Sequence, residues 1–300
     1  MLGDLALDVV VAPARPLETG TDVPGRVRFV QGGSAANTAR WLARLGVRTT
    51  LIAAVGRDAT GRALVDAVRA DGVVARVART AGAPTARIGV LVSPDGERSF
   101  VPDRGAAQLL DPADLKATWF AGAQALHLPI YSLLGTPLGD AARRAIELAH
   151  QAGAMISLDL ASIGPLMTGG GPAARELIAT TNPDILFATA AETEALLGRG
   201  PAEGLLEFAS IAVVKRGPKG ATVLARASGE RLRFEVATAP LGTADTTGAG
   251  DAFDAGFLAG WFAARAAGRS LPASLQRAAL AGNRAAARHL AAPRPEVALR

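Results

Sequence analysis

Short, near-continuous apolar runs rich in Val, Ile and Leu recur along this chain, with longer helix-period stretches between them. LALDVVV (5–11), TTLIAAVG (49–56), AQALHL (123–128), AMISLDL (154–160), DILFA (184–188) and IAVVKRG (211–217) read as strands. SAANTARWLARLG (34–46), ended by Gly46, and DATGRALVDAVRADG (58–72), capped by Asp58, read as helices; others fall near 136–152, 172–181 and 190–197. Strands apolar on both faces and alternating with helices call for a parallel sheet covered on both sides. At 300 residues and 49% hydrophobic, the chain suits one large α/β domain with an insertion.

Two stretches break the rhythm. Residues 9–33 hold a Pro/Gly-rich crossing and a short alternating strand, RVRFV (26–30). Residues 85–103 read as a hairpin turning at SPDG (93–96). An isolated hairpin is marginal in water, so the two are expected to share a small accessory sheet. A last β segment (221–237) and two helices, 248–267 and 271–291, complete the chain.

Several function classes drop out. There is no cysteine, so disulfides and thiolate metal sites are excluded, and His127, His150 and His289 are not at metal-ligand spacing. The net charge of +5 suits anionic small molecules, but the arginines are scattered and aromatics make up only 4%. That is not a nucleic-acid footprint. No run reaches a membrane span, and MLGDLALDVVV carries Asp4 and Asp8 with no basic leader. A cytoplasmic enzyme is the expectation. Neither GxxxxGK[ST] nor GxGxxG occurs, which removes the P-loop and Rossmann fingerprints.

TADTTGAGDAFDAGF (243–257) admits two readings. One is a plain helix start capped by Asp245, Thr246 or Thr247. The other is an anion cradle, in which the N–H groups of Gly248, Ala249 and Gly250 lie at the positive end of a helix. Asp251 would then point into the same space. A carboxylate beside bound phosphates serves badly as a further anion ligand and well as a base toward an attacking hydroxyl.

GGSAAN (32–37) opens the first long helix. Gly32 and Gly33 permit close backbone approach, Asn37 offers a donor and an acceptor, and Asp8 accepts from two hydroxyls. Together they make a polyol-binding set, expected at the carboxyl ends of the sheet strands. In VVKRGPKGATV (213–223), Lys215, Gly217 and Gly220 either face nucleotide phosphates or form a tight turn. Arg104 either reaches the substrate as the accessory sheet closes or fixes the hairpin base. The three histidines are assigned to structure.

DTTGAGDAF (245–253), GGSAAN, G-x-x-x-x-D at Gly3–Asp8 and K-x-G-x-x-G at 215–220 together resemble the ribokinase-like (PfkB) carbohydrate kinases, in that family's order. The resemblance implies a three-layer α/β/α fold with a mostly parallel central sheet and a small β-sheet lid. The large domain would comprise 1–8, 34–84 and 104–300, and the lid 9–33 and 85–103. It implies ATP as donor, Mg2+, and phosphorylation of a sugar or nucleoside hydroxyl. Asp251 would be the catalytic base and residues 248–250 the anion hole, with Asp8, Gly32, Gly33 and Asn37 on the acceptor. Thr246 and Lys215 would lie in the nucleotide region and Asn283 by the adenine.

The chain departs from the pattern in places. In the N-x-x-E motif that organises magnesium, Glu194 is kept and Ala191 replaces the asparagine, implying rearranged metal handling. Ser34 stands where ribokinase proper and the phosphosugar kinases tend to have lysine, and HLPIYSL (127–133) lacks a sugar-contacting glutamate; both changes put D-ribose in doubt, and loss of the lysine argues against a phosphorylated acceptor. The tail lacks the usual Gly-containing loop of the monovalent-cation site, leaving K+ activation open. The acceptor is expected to be a free sugar, with a pseudouridine- or adenosine-type nucleoside as runner-up. A non-catalytic sensor is the rival class, favoured only by Ala191. Exposed lid edges and an apolar lid face imply a homodimer.

Overall fold

The computed structural model describes residues 1–93, 98–227, 229–238, 246–292 and 294–298. Asp245 and most of the expected 93–96 turn lie outside the described residues.

A six-stranded sheet runs β12(Glu230–Val236)-β11(Ala221–Ala227)-β10(Ile211–Lys215)-β9(Ile185–Thr189)-β8(Met155–Asp159)-β7(Ala125–Pro129), antiparallel at β12-β11-β10 and parallel beyond. The first three residues extend it. Leu2 N–H donates to the His127 carbonyl at 3.2 Å, while Met1 and Gly3 bond Ile52 on the other side. They join the sheet to the parallel pair β3(Thr50–Gly56) and β4(Val74–Thr80). β4 is not apparent in the sequence, because VARVART repeats two apolar residues and an arginine with a period of three and not two.

Period-two alternation explains the three layers. On β9, Leu186 and Ala188 enter a core with α3(Leu138–Gln151), α4(Ile163–Met167), α5(Gly170–Thr181) and α6(Ala190–Leu197). Ile185 and Phe187 face α7(Ala249–Ala266) and α8(Leu271–Leu290). A third core joins α1(Ser34–Arg44) and α2(Ala59–Ala70) to β3. Asp58 caps α2 as expected, accepting from Gly61 N–H at 2.7 Å. Helices α7 and α8 nearly touch. A Cβ on Gly256 would lie 2.6 Å from the Ala281 carbonyl, and one on Gly282 2.9 Å from that of Phe253.

The two irregular stretches meet in one sheet, β2(Gly25–Gly32)-β1(Ala6–Pro13)-β5(Arg87–Val92)-β6(Arg98–Asp103). β1 pairs antiparallel with β2 and parallel with β5. This corrects one expectation: Asp8 is not at the end of a central strand. It lies inside β1, opposite Val30 and Ile88, so the boundary expected after residue 8 falls within a strand. Val10, Val30 and Val90 pack on one face of this sheet. The other face exposes Val27 (61%), Phe29 (42%) and Val101 (71%), leaving an apolar surface uncovered in a single chain. Val297 N–H donates to the Phe29 carbonyl at 2.8 Å, laying the tail along the β2 edge.

Candidate active site

Helices α1 and α7 start side by side, so the two glycine motifs form one site. Gly33 begins α1 without a side-chain cap. Gly248, in the left-handed region at φ 85°, begins α7 the same way, leaving first-turn N–H groups for another acceptor. Ser34 Oγ donates to Asp251 Oδ1 at 2.6 Å and Asn37 Nδ2 to Oδ2 at 2.8 Å. Arg40 in turn donates to the side-chain Oδ1 of Asn37. Burial pushes the Asp251 carboxyl up to about 6, against the pull of those two hydrogen bonds.

The N–H groups expected to form a cradle differ in their bonding. Ala249 N–H closes a turn onto the Thr246 carbonyl at 3.1 Å. Among the described residues, only Gly248 and Gly250 of the expected three N–H groups lack a protein acceptor. The loop is braced from behind. Trp41 Nε1 donates to His289 Nδ1 at 3.2 Å, which places the imidazole proton on Nε2, 2.7 Å from the Thr247 carbonyl. From the accessory sheet, Arg98 donates to Thr247 Oγ1 at 3.0 Å and to the Thr246 hydroxyl.

Asp8, Gly32 and Arg294 meet on the side of Arg40. Gly32 makes room for the Asp8 carboxylate, since a Cβ there would lie 1.9 Å from its Oδ1. Asp8 is buried and accepts from Arg294 of the tail. Burial raises its pKa and Arg294 opposes the rise. Arg40 lies within electrostatic range of both Asp8 and Asp251. Arg104 stacks 4.3 Å over the Tyr131 ring, and Tyr131 donates to Asp4 Oδ1 at 3.1 Å. Burial raises the Asp4 pKa and Arg104 counters it.

The remaining expected positions make bonds of their own within the protein. Lys215 does not project as an isolated phosphate ligand. Its ammonium bonds Asp159 Oδ1 at 3.0 Å and the Asp254 oxygens at 3.2 and 3.1 Å, 3.4 Å from where a Cβ on Gly250 would sit. Burial works against that charge, but Asp159, Asp254 and Glu192 outweigh it and raise the Lys215 pKa. Burial and the charge on Asp159 push Asp254 well up. Glu194 lies on the exposed side of α6, whereas Glu192 is buried within electrostatic reach of Asp159 and Lys215, tied to Thr189 by a capping box. The interior acid is therefore two residues earlier than expected. Asn283 donates its amide to the Val236 and Ala237 carbonyls at 3.2 and 3.1 Å, tethering α8 to the end of β12. Gly217 and Gly220 shape the turn from β10 to β11, with Gly220 pressed against the Val236 carbonyl.

Asp4, Tyr131, Arg98, Arg294, Asp159 and Asp254 were not singled out from the sequence as site residues. Two carried a signal: Asp159 ends a parallel strand, where ligands gather, and Asp254 lies one helical turn beyond Asp251.

The profile described as "pfkB family carbohydrate kinase" matches residues 1–296. The chain belongs to that family. It is a phosphotransferase with a hydroxyl acceptor, a sugar kinase by family. Fructokinase-1 of Oryza sativa subsp. japonica is 31% identical over 84% of this chain and 79% of its own length. Adenosine kinase from Sinorhizobium meliloti superposes with a TM-score of 0.83 at 28% identity, over 99% of this chain and 95% of that one. A probable sugar kinase from Rhizobium etli gives 0.77 at 26%, over 94% and 90%. The neighbours bear out the ribokinase-like fold. No helix among the described residues is long and apolar enough to cross a membrane.

Proposed function

We propose that this kinase transfers the γ-phosphate of ATP to a sugar hydroxyl, with Asp251 as general base. The observation that carries the reading is the Asp251 carboxylate, bonded by Ser34 and Asn37 and set one residue beyond Gly250. A carboxyl with a pKa of about 6 is ionised at neutral pH yet basic enough to take a proton from an attacking hydroxyl. Asn37 and Ser34 hold it in place. The Gly248 and Gly250 N–H groups, backed by the Lys215 ammonium, take up charge on the phosphoryl oxygens. Asp8 and Asn37 hold acceptor hydroxyls, and Arg104 lines that side. Thr246 and the Gly217–Gly220 turn face the nucleotide.

Among the described residues no three acids or histidines converge in a metal-holding group. Mg2+ would arrive on the nucleotide phosphates, with Asp159 and Glu192 as the nearby interior acids, and would supply charge neutralisation there. Replacing potassium chloride with a tetramethylammonium salt tests K+ activation. The accessory sheet acts as a lid that excludes water, and its apolar outer face pairs with that of a second copy.

Fructose is the first acceptor to try, given the fructokinase relatives. Adenosine is the second, favoured by the 28% identity to an adenosine kinase over nearly the whole chain. ADP release over a panel of sugars and nucleosides tests the reading, with Asp251→Asn alongside. Turnover that survives the substitution refutes the base assignment; acceptor binding without turnover in the unaltered protein supports a sensor instead.

A further inference from the structure

His289 lies in the last turn of α8, behind the peptide that opens α7. Its Nε2–H donates to the Thr247 carbonyl at 2.7 Å. Trp41, one helical turn beyond Asn37 on α1, donates its indole N–H to His289 Nδ1 at 3.2 Å, and the two rings meet edge-on at 5.8 Å. An indole nitrogen can only donate, so Nδ1 accepts and the imidazole proton stays on Nε2. Trp41 thereby selects the tautomer that can hold the carbonyl. The ring also lies against the helix start itself, since a Cβ on Gly248 would be 3.1 Å from its Cε1 and Nε2.

The Thr247 carbonyl and the Gly248 N–H belong to one peptide group. That group is planar and trans, so its C=O and N–H point in opposite directions. Holding the carbonyl on His289 therefore fixes the direction of the Gly248 N–H, which has no protein acceptor among the described residues. Glycine constrains its own backbone least of all residues, so the tilt of this plane is set by a contact from outside. A hydrogen bond accepted by the carbonyl also polarises the N–H of the same peptide.

We infer that His289 is a positioning residue for phosphoryl transfer, aiming the Gly248 N–H at the phosphoryl oxygens through the Thr247–Gly248 peptide while Trp41 holds it in the donor tautomer. The inference rests on the kinase reading of Gly248 and Asp251 proposed above. Two residues of α1, one turn apart, then orient both partners of the reaction. Asn37 aims the carboxylate, and Trp41 aims the amide through His289. A misaimed amide is felt where charge develops on the transferring group, so its loss falls on kcat and spares acceptor KM.

Kinetics on the acceptor found by the panel, with NMR of the ligand-free full chain, tests this. His289→Leu keeps apolar volume and removes the N–H. It is expected to lower kcat about tenfold with acceptor KM changed by less than about twofold. His289→Gln, whose amide can donate to the same carbonyl, is expected to recover most of that loss. Trp41→Phe should lower kcat about threefold, and should add nothing in the His289→Leu background, because it acts through the imidazole. In the spectra the ring should be protonated on Nε2, and the Gly248 amide signal should shift in His289→Leu and return in His289→Gln. A ring protonated on Nδ1, equal kcat loss in the Leu and Gln variants, or kcat untouched by His289→Leu overturns the inference. Should His289→Leu fail to fold, Trp41→Phe carries the kinetic test, and unchanged kcat there overturns it too. Spectra that behave as expected in a protein phosphorylating no acceptor would refute the kinase reading and leave the amide-orienting role of His289 standing.

Discussion

Asn37 donates its side-chain amide to Asp251 Oδ2 at 2.8 Å, joining the first turn of α1 to that of α7. Neither residue is positioned for this without the glycine turn before its helix. The carboxylate and the amide that aims it therefore come from opposite ends of the chain, and each can be altered separately.

The pH profile tests the proposed role of Asp251 as base. With the Asp251 carboxyl at about 6, kcat/KM is expected to plateau above neutrality and to fall with unit slope as acid protonates it. Asn37→Leu deletes a hydrogen bond that favours the ionised form, so the acid limb should move to higher pH and kcat should fall about tenfold or more. An unmoved acid limb would mean that another group titrates.

The same burial makes the active carboxylate a local instability. Its folded pKa lies above the ordinary 3.8, so the native state is favoured while Asp251 is protonated and loses that advantage as pH rises through about 6. Two pKa units correspond to roughly 3 kcal/mol, a ceiling that contact with solvent reduces to about 1–2 kcal/mol. Asp251→Asn should accordingly be more stable than the unaltered protein in urea at pH 8. The gap should close near pH 4.

Lys215 neutralises a buried acidic cluster. Replacing it with Met leaves Asp159 and Asp254 without their cation and is expected to cost about 3–5 kcal/mol in chemical denaturation. Adding Asp254→Leu to that variant should recover part of the loss, because it removes one of the stranded acids.

Arg98 bridges the accessory sheet to the residues before α7 through Thr246 and Thr247. Arg98→Ala should lower acceptor kcat/KM roughly tenfold and raise ATP hydrolysis in the absence of acceptor. The urea midpoint should hardly move, which separates a latch from a fold-stabilising contact.

Phe29 and Val101 belong to the uncovered face of the accessory sheet. If that face mediates pairing, light scattering should report the mass of two chains, and Phe29→Lys with Val101→Lys should return the mass of one. A single-chain mass before substitution would rule out the dimer.

The strands of the parallel sheet were legible because Val-, Ile- and Leu-rich runs buried on both faces have few alternatives. The GG turn and the TTGAGD helix start were legible because glycine beside a polar residue marks close approach. What escaped detection was long-range or compositionally disguised. Arg294 finds Asp8 across the length of the chain, and nothing local in PRPEV announces it. β4 was hidden by its arginines. In ATAAETEALL the two glutamates look alike in sequence, and only the packing of α6 decides that Glu192 turns inward and Glu194 outward.

The glycine contacts along α7 and α8 bear on how this chain could be recombined with its relatives. The two helices are matched backbone to backbone, and one begins at Gly248 while the other carries His289, bonded to the Thr247 carbonyl. A crossover placed between them would pair surfaces never selected together and misalign the start of α7. Chimeras should therefore exchange the pair as one cassette.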